Sequence, residues 1–180
     1  DGIAKKVIHL TASNEYRENF ALTSIDSAIK AGVGFELELP GAHSDVGGGY
    51  EEYEHTEVRN LSSSGRNDDL LLAEGWYTRN QIEDRRTINC TGTRKLKNSY
   101  QFIPLAIMMH FAKKNGMTFR SFDENKLFKS FKVIPELETI KNKLLNLAID
   151  KEGAVKIIAK LTDETELKNL RNKYLHLSSN

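Results

Sequence analysis

A short run of strictly alternating residues leads directly into a glycine-rich loop, and these two features most constrain what the chain can fold into. Within Gly34–Leu39 the apolar side chains fall on one face and the two glutamates on the other. Such alternation predicts a half-buried β-strand near the edge of a sheet. Pro40 ends the strand, and we expect the following residues to form a loop as far as Tyr50. This loop contains the candidate functional residues His43, Asp45, Gly47, Gly48 and Gly49.

The loop combines a histidine with three consecutive glycines. Glycine loses more conformational freedom on ordering than any other residue, so a run of three is expected where the backbone bends sharply, adopts a positive φ or passes close to a ligand. We therefore weigh two roles for Gly47–Gly49: a flexible turn, or a loop that shapes a substrate pocket. His43 follows the carboxyl end of the strand, which is where open α/β sheets place reactive groups.

The composition excludes several classes of protein. The 180 residues carry 26 Lys plus Arg against 25 Asp plus Glu, a net charge of +1. The chain therefore has no overall attraction to nucleic acid or to an anionic membrane, and we expect no nucleic-acid partner. No apolar run approaches the roughly 18 residues that a transmembrane helix needs. The lone Cys90 excludes an internal disulfide framework and a cysteine-cluster metal site.

The rest of the pattern predicts an α/β fold. Val7–Ala12 is β-prone and predicts a second strand. The polar stretches 51–69 and 78–98 predict surface excursions. Apolar residues at helical spacing predict the helices, which cover 70–76, 100–114, 137–148, 154–161 and 164–174. The strands therefore belong to the N-terminal end, and we expect the C-terminal part to be largely helical.

Several segments resemble one family. Residues 40–50 read PGAHSDVGGGY and resemble the GxHSDVGGGY signature of an α/β-hydrolase family that includes phospholipase (Tle-type) effectors of bacterial type VI secretion systems. Residues 7–20, with a Glu-x-Arg-x-x-Phe core, resemble the family segment upstream of that signature. Further similarity, to the downstream part of the family, lies in 75–77, 100–105, Met108 and 170–178.

The resemblance implies a partial α/β-hydrolase-like sheet at the N-terminal end. Residues 1–119 are expected to be the C-terminal portion of a hydrolase-like domain, and residues 120–180 a helical extension of the same domain. Such hydrolases place a serine on a Gly-x-Ser-x-Gly turn, followed along the chain by an aspartate and then a histidine. The resemblance therefore implies that His43 is the general base, which takes the serine proton and later returns it to the leaving group.

The nucleophile and the acid of such a triad are expected outside this sequence. No Gly-x-Ser-x-Gly occurs in the 180 residues, and Ser44 and Ser62–Ser64 lack the flanking glycines. We therefore expect both groups to precede Asp1, so that the chain is a fragment of a serine ester hydrolase of the phospholipase or lipase type, inactive alone. Asp45 is expected to accept N–H groups of its loop, because a carboxylate two residues from His43 usually cannot reach the distal ring nitrogen. A role for Asp45 as the triad acid is the alternative.

Two other interpretations stay open. In the first, the chain is a non-catalytic interaction domain built on a hydrolase relic, which presents a surface to a partner or immunity protein. In the second, residues around the loop bind a metal ion, although their spacing matches no common ligand pattern. The candidate ligands are His43, Asp45, Glu51, Glu54 and His55.

The sequence assigns no chemistry to the remaining histidines. His9 and His110 are predicted to be packed residues, and His176 lies in a segment that the family shares but is given no role. The expected partners are an ester or phospholipid substrate, the missing N-terminal hydrolase segment, and an immunity or secretion partner; no cofactor is expected. The location stays open between the bacterial cytoplasm and secretion without a cleavable signal.

Overall fold

Two small sheets organise the residues that the computed structural model describes, which are 4–51, 53–61, 68–83, 90–119, 131–153 and 155–178. The strands are β1 (Val7–Ala12), β2 (Gly34–Leu39), β3 (Glu54–Asn60), β4 (Ile82–Glu83), β5 (Thr91–Lys97) and β6 (Lys156–Ile158). The helices are α1 (Asp26–Lys30), α2 (His43–Gly47), α3 (Asp68–Ala73), α4 (Phe102–Lys114), α5 (Glu138–Asp150) and α6 (Glu164–Lys173). Single turns of 3-10 helix cover Glu18–Phe20, Arg79–Gln81, Asn98–Gln101 and Pro135–Leu137. This mixture of strands and helices confirms the predicted α/β class.

The first sheet is parallel and places β2 between β1 and β6. The three large apolar residues of β2 are 0% exposed, and Glu36 on its other face is 2% exposed. The prediction of a half-buried strand near a sheet edge is therefore wrong, because β6 pairs with the side of β2 that does not contact β1. Glu36 is stable in this position because its carboxylate pairs with Lys156 Nζ at 2.7 Å and with His9 Nδ1 at 3.0 Å.

The second sheet is antiparallel, in the order β3-β5-β4, and it occupies stretches that were expected to be surface excursions. That expectation is wrong for 54–60, 82–83 and 91–97. On β5 every second residue is buried, as in any strand with one face on a core, but one of those residues is Arg94. A charged residue at a buried position hides the alternation from an analysis of hydrophobicity.

Two further segments differ from their predicted structure. Residues 156–158 form β6 and not part of a helix, because a short apolar run is compatible with either element and the pairing with β2 decides between them. The loop after β2 contains the one-turn helix α2. Since β6 pairs with β2, part of 120–180 belongs to the first sheet. The proposed division at residues 119 and 120 borders 120–130, which lie outside the described residues, and it stays a prediction.

Helix α4 covers the first sheet, as its apolar stripe predicts. Phe111 packs against Phe35 of β2 with ring centroids 5.4 Å apart, and Ile103 and Ile107 are 0% exposed. Pro104 lies in the first turn of the helix, where its missing N–H has no helical partner to lose. Across the described ranges, no helix combines the length and the apolar character needed to cross a lipid bilayer.

A buried arginine connects the second sheet to α6. The Arg94 side chain is 0% exposed; its Nε donates to Glu57 Oε2 at 2.6 Å, and its Nη1 donates to the carbonyl oxygen of Arg171 at 2.7 Å. Tyr77 also donates its hydroxyl to Glu57, at 2.9 Å. Burial alone would raise the pKa of Glu57, but the charge of Arg94 and its hydrogen bond outweigh burial and hold that pKa below its ordinary value. Glu57 therefore stays ionised inside the protein.

We expect Arg94→Ala to lower the free energy of unfolding by about 3–5 kcal/mol, because it leaves the Glu57 carboxylate buried without its cation. The matched control is Lys95→Ala, since Lys95 pairs with Glu54 at 3.5 Å from a side chain that is 74% exposed. That substitution should cost about 1 kcal/mol or less. Urea unfolding of both variants measures the difference, and equal losses would contradict the role given to Arg94.

Candidate functional site

The candidate site lies where the carboxyl ends of β1 and β2 meet the C-terminal segment 175–178. The parallel pairing continues past both strands: the N–H of Ser13 donates to the carbonyl of Leu39 at 2.9 Å, and the N–H of Asn14 to that of Gly41 at 3.0 Å. The Asn14 side chain accepts the N–H of Gly41 at 2.9 Å in return. These bonds place Glu15, which follows Asn14 in the chain, next to the start of α2.

His43 begins α2 and is the exposed histidine of this region, with 44% of its side chain accessible. Its Nδ1 lies 2.6 Å from Glu15 Oε2, and its Nε2 lies 2.9 Å from Ser44 Oγ. The ring of Phe20 stacks on the imidazole with centroids 4.5 Å apart. The imidazole is therefore held at both nitrogens and on one face, while a large part of it stays open to solvent.

Glu15 is fixed more firmly than an ordinary surface glutamate. Its side chain is 8% exposed, and Arg17 donates to its two oxygens from Nε at 2.8 Å and from Nη2 at 2.9 Å. Ser178 donates its hydroxyl to the same carboxylate. The hydrogen bonds from Arg17 hold the pKa of Glu15 well below its ordinary value, although burial opposes them. Glu15 thus presents a full negative charge to His43.

Asp45 accepts N–H groups of its loop, as its position suggests, and it also reaches the C-terminal segment. The side chain is 2% exposed; Oδ2 accepts the backbone N–H of Ala42 at 2.8 Å and that of His176 at 3.0 Å. Oδ1 lies 2.7 Å from His176 Nδ1. Gly41 is needed beside it, because its φ is 114° and a Cβ there would lie 2.7 Å from Asp45 Cβ. The carboxylate therefore ties residues 42 and 176 together.

His176 is a site residue that the sequence did not reveal, apart from its place in a segment that the family shares. Its Nδ1 contacts Asp45, and its Nε2 lies 3.0 Å from Nε2 of His55. The ring of Tyr50 stacks on it with centroids 3.7 Å apart. Both ring nitrogens have contacts, and the residue is 7% exposed. His176 is therefore shielded from solvent, whereas His43 is accessible to it.

The three glycines lie at the end of α2 and directly after it, and they form one wall of a groove. Gly47 ends the helix, whereas Gly48 and Gly49 have φ values of 83° and 145°, which side-chain-bearing residues rarely adopt. Gln101 fixes this backbone by accepting the N–H of Gly49 at 3.1 Å and donating to the carbonyl of Tyr50 at 2.9 Å. The groove has a volume of about 1270 Å³, and its apolar lining includes Ile8, Leu10, Val46, Phe102, Leu105 and Met108.

The five residues considered as metal ligands do not converge on one point. His43 contacts Glu15, Asp45 contacts His176, and Glu54 pairs with Lys95. Within the described ranges there is no group of three or more His, Cys, Asp or Glu that could hold a metal ion. Ser62–Ser64, which were considered as nucleophiles, lie outside those ranges.

The chain matches no family model and no curated protein. It is similar to a solved structure, that of the Tle1 effector bound to the VgrG spike from the type 6 secretion system, with a TM-score of 0.63 and 22% sequence identity. The similarity covers 98% of this chain and 41% of the effector chain. At this identity the similarity shows the fold alone. Almost all of the 180 residues share the fold of one part of the type VI secretion effector, and that part is less than half of the effector chain.

Proposed function

We propose that this chain is the histidine-bearing part of a serine ester hydrolase and that His43 is its general base. The observation that carries the proposal is the setting of the imidazole. His43 is half-exposed at the carboxyl end of a central parallel strand, with an ionised carboxylate at Nδ1 and a serine hydroxyl at Nε2. A general base must lie within about 2.6–3.2 Å of the hydroxyl whose proton it takes. Nε2 meets the Ser44 hydroxyl at 2.9 Å, and in the proposal the nucleophilic serine takes the place of Ser44 at this nitrogen.

In the proposed reaction, His43 Nε2 removes the proton of a serine hydroxyl as the serine oxygen attacks the ester carbonyl. The imidazolium that forms then donates this proton to the leaving alcohol, which gives an acyl-serine. Water then attacks the acyl-serine while Nε2 takes a proton from the water. Nε2 returns this proton to the serine oxygen, and the carboxylic acid is released. The carboxylate at Nδ1 stabilises the imidazolium in each half-reaction.

The nucleophile in this proposal is carried by polypeptide that precedes residue 1. Two observations support it: no Gly-x-Ser-x-Gly occurs in the sequence, and the chain spans 41% of the effector that it resembles in fold. In the described part of the chain, β1 is the terminal strand of its sheet. A further parallel strand added to the outer edge of β1 would end beside Glu15 and His43. A nucleophilic serine on the turn that follows such a strand would therefore lie close to His43.

The groove beside Gly47–Gly49 suits the apolar part of an ester, such as the acyl chain of a phospholipid. Its apolar side chains come from β1, α2, α4 and residues 131–135, and the glycine backbone leaves one wall without side chains. The similarity to an effector bound to a secretion spike supports a component of a bacterial type VI secretion system as a partner. Delivery by such a system is consistent with secretion without a cleavable signal.

The same geometry gives Asp45 a structural role in the proposal. Asp45 and His176 form an acid–imidazole pair, but the His176 side chain is 9% exposed and its Nε2 already contacts His55. A base in that position would have no open path to a substrate. We therefore assign Asp45 to holding the loop that carries His43.

In the longer polypeptide that includes the upstream segment, His43→Ala should lower the turnover of a p-nitrophenyl ester by about 100-fold or more, because it removes the general base. His110→Ala is the matched control, since this histidine lies on α4 and its described ring contact is with Phe111; its turnover should stay unchanged. Normal turnover in the His43 variant would contradict the proposal.

The same assay locates the nucleophile. If the serine is upstream, Ser44→Ala retains turnover and the 180-residue chain alone has none. Loss of activity in the Ser44 variant would assign the nucleophile to Ser44, and activity in the short chain would place it within the 180 residues; either result would contradict the upstream assignment. Absence of esterase activity from the longer polypeptide would favour the non-catalytic interaction domain.

Asp45→Ala should mainly lower stability, by about 2–4 kcal/mol, because it leaves the buried N–H groups of Ala42 and His176 without their acceptor. Asp26→Ala is the control, since Asp26 is exposed at the start of α1 and its loss should cost less than about 1 kcal/mol. Thermal unfolding and turnover are measured on the same samples. A variant of normal stability that has lost turnover would instead place Asp45 in the reaction.

A further inference from the structure

We infer that Glu15 is the positioning residue of His43: its carboxylate accepts the Nδ1–H of the imidazole and so leaves Nε2 as the basic nitrogen. This inference rests on the proposed function for its catalytic meaning, but the hydrogen bond can be tested without it. The contact is double, since Glu15 Oε2 lies 2.6 Å from Nδ1 and 3.4 Å from the backbone nitrogen of the same histidine. One oxygen thus fixes both the backbone and the ring of His43.

Glu15 can orient a ring because it is itself immobilised. Arg17 binds both of its oxygens, the backbone N–H of Arg17 donates to Oε1 at 3.2 Å, and the Ser178 hydroxyl donates to the same oxygen. Such a paired geometry between guanidinium and carboxylate adds directional precision to the charge. The C-terminal segment, through Ser178, and Arg17 therefore hold the same carboxylate oxygen.

A competing arrangement exists, because Arg17 Nη2 lies 2.7 Å from His43 Nδ1. If Nδ1 carried no proton, it would accept from Arg17, and the Glu15 contact would bring two lone pairs together at 2.6 Å. An ionised carboxylate can only accept, so a contact of that length requires a donor on the imidazole. Arg17 Nη2 has a second N–H besides the one that binds Glu15, so both arrangements are sterically available; the shorter contact of Nδ1 is the one with the carboxylate, at 2.6 Å against 2.7 Å, which favours the proton on Nδ1.

The consequence is that the acid–base pair is complete within this chain. With its proton on Nδ1, His43 is an acceptor at Nε2, where it now meets the Ser44 hydroxyl at 2.9 Å, and an upstream nucleophilic serine needs an acceptor at this nitrogen. Glu15 then has the task usually given to a triad aspartate. The expectation that the acid precedes Asp1 is replaced, in this inference, by a carboxylate on the segment that follows β1.

The direct test is the tautomer of His43, read from the ring nitrogen shifts of ¹⁵N-histidine-labelled chain at alkaline pH. The expected result is a dominant Nδ1–H form in the wild type, and a shift to the Nε2–H form in Glu15→Ala, because an imidazole without a partner at Nδ1 prefers the latter. Glu18→Ala is the matched control, since Glu18 is exposed on the neighbouring 3-10 turn; it should leave the tautomer unchanged.

Arg17→Ala separates the two arrangements and covers the case in which the Glu15 variant does not fold. The proposal predicts that this variant keeps the Nδ1–H form, whereas the competing arrangement predicts that the tautomer changes when Arg17 is lost. A wild-type His43 without a proton on Nδ1, or a Glu15→Ala variant that keeps it, would overturn the inference.

Turnover in the longer polypeptide gives the catalytic readout. Glu15→Ala should lower kcat by about 100-fold with little change in KM, since the carboxylate acts through His43 and not on the substrate. Glu15→Asp should restore part of the loss, and Glu18→Ala should lose nothing. A tautomer shift without esterase activity would leave the hydrogen bond standing and reject the proposed function, whereas esterase activity that needs His43 but is unaffected by Glu15→Ala would reject the positioning role alone.

Discussion

The parallel pairing of β1 with β2 continues past the ends of both strands, and the candidate site depends on that continuation. The backbone bonds from Ser13 to Leu39 and from Asn14 to Gly41 place the segment after β1 beside the segment after β2. Without them, Glu15 and His43 would belong to two separate loops. The C-terminal segment contacts both of these segments, since its His176 binds Asp45 and its Ser178 binds Glu15.

His43 and His176 have similar carboxylate contacts but differ in their access to solvent. Each has a carboxylate at Nδ1, 2.6 Å away for His43 and 2.7 Å away for His176. The difference is access: the His43 side chain is 44% exposed and that of His176 is 9% exposed. In the proposed function only the open ring can reach a bound ester, whereas the enclosed ring, stacked on Tyr50, holds the C-terminal segment against the loop.

Sequence periodicity predicted the elements that pack by a regular apolar stripe, namely the strands of the N-terminal end and helices α4, α5 and α6. It missed the second sheet because Arg94 occupies a core-facing position on β5, and it mistook β6 for a helix because three residues carry no period. The motif pointed to His43. The partners of the motif could not be predicted, because Glu15 lies 28 positions and His176 lies 131 positions from the residue that each contacts. Only the fold brings them together.

The fold shared with part of a type VI secretion effector agrees with the family that the motif resembles, whereas the catalytic groups are assigned by proposal. The most direct measurement is a structure of the longer polypeptide whose active serine has been labelled with a phosphonate ester. We expect a labelled serine from the upstream segment, with its oxygen within about 3.2 Å of His43 Nε2. A labelled serine that lies beside His176, or far from both histidines, would contradict this expectation.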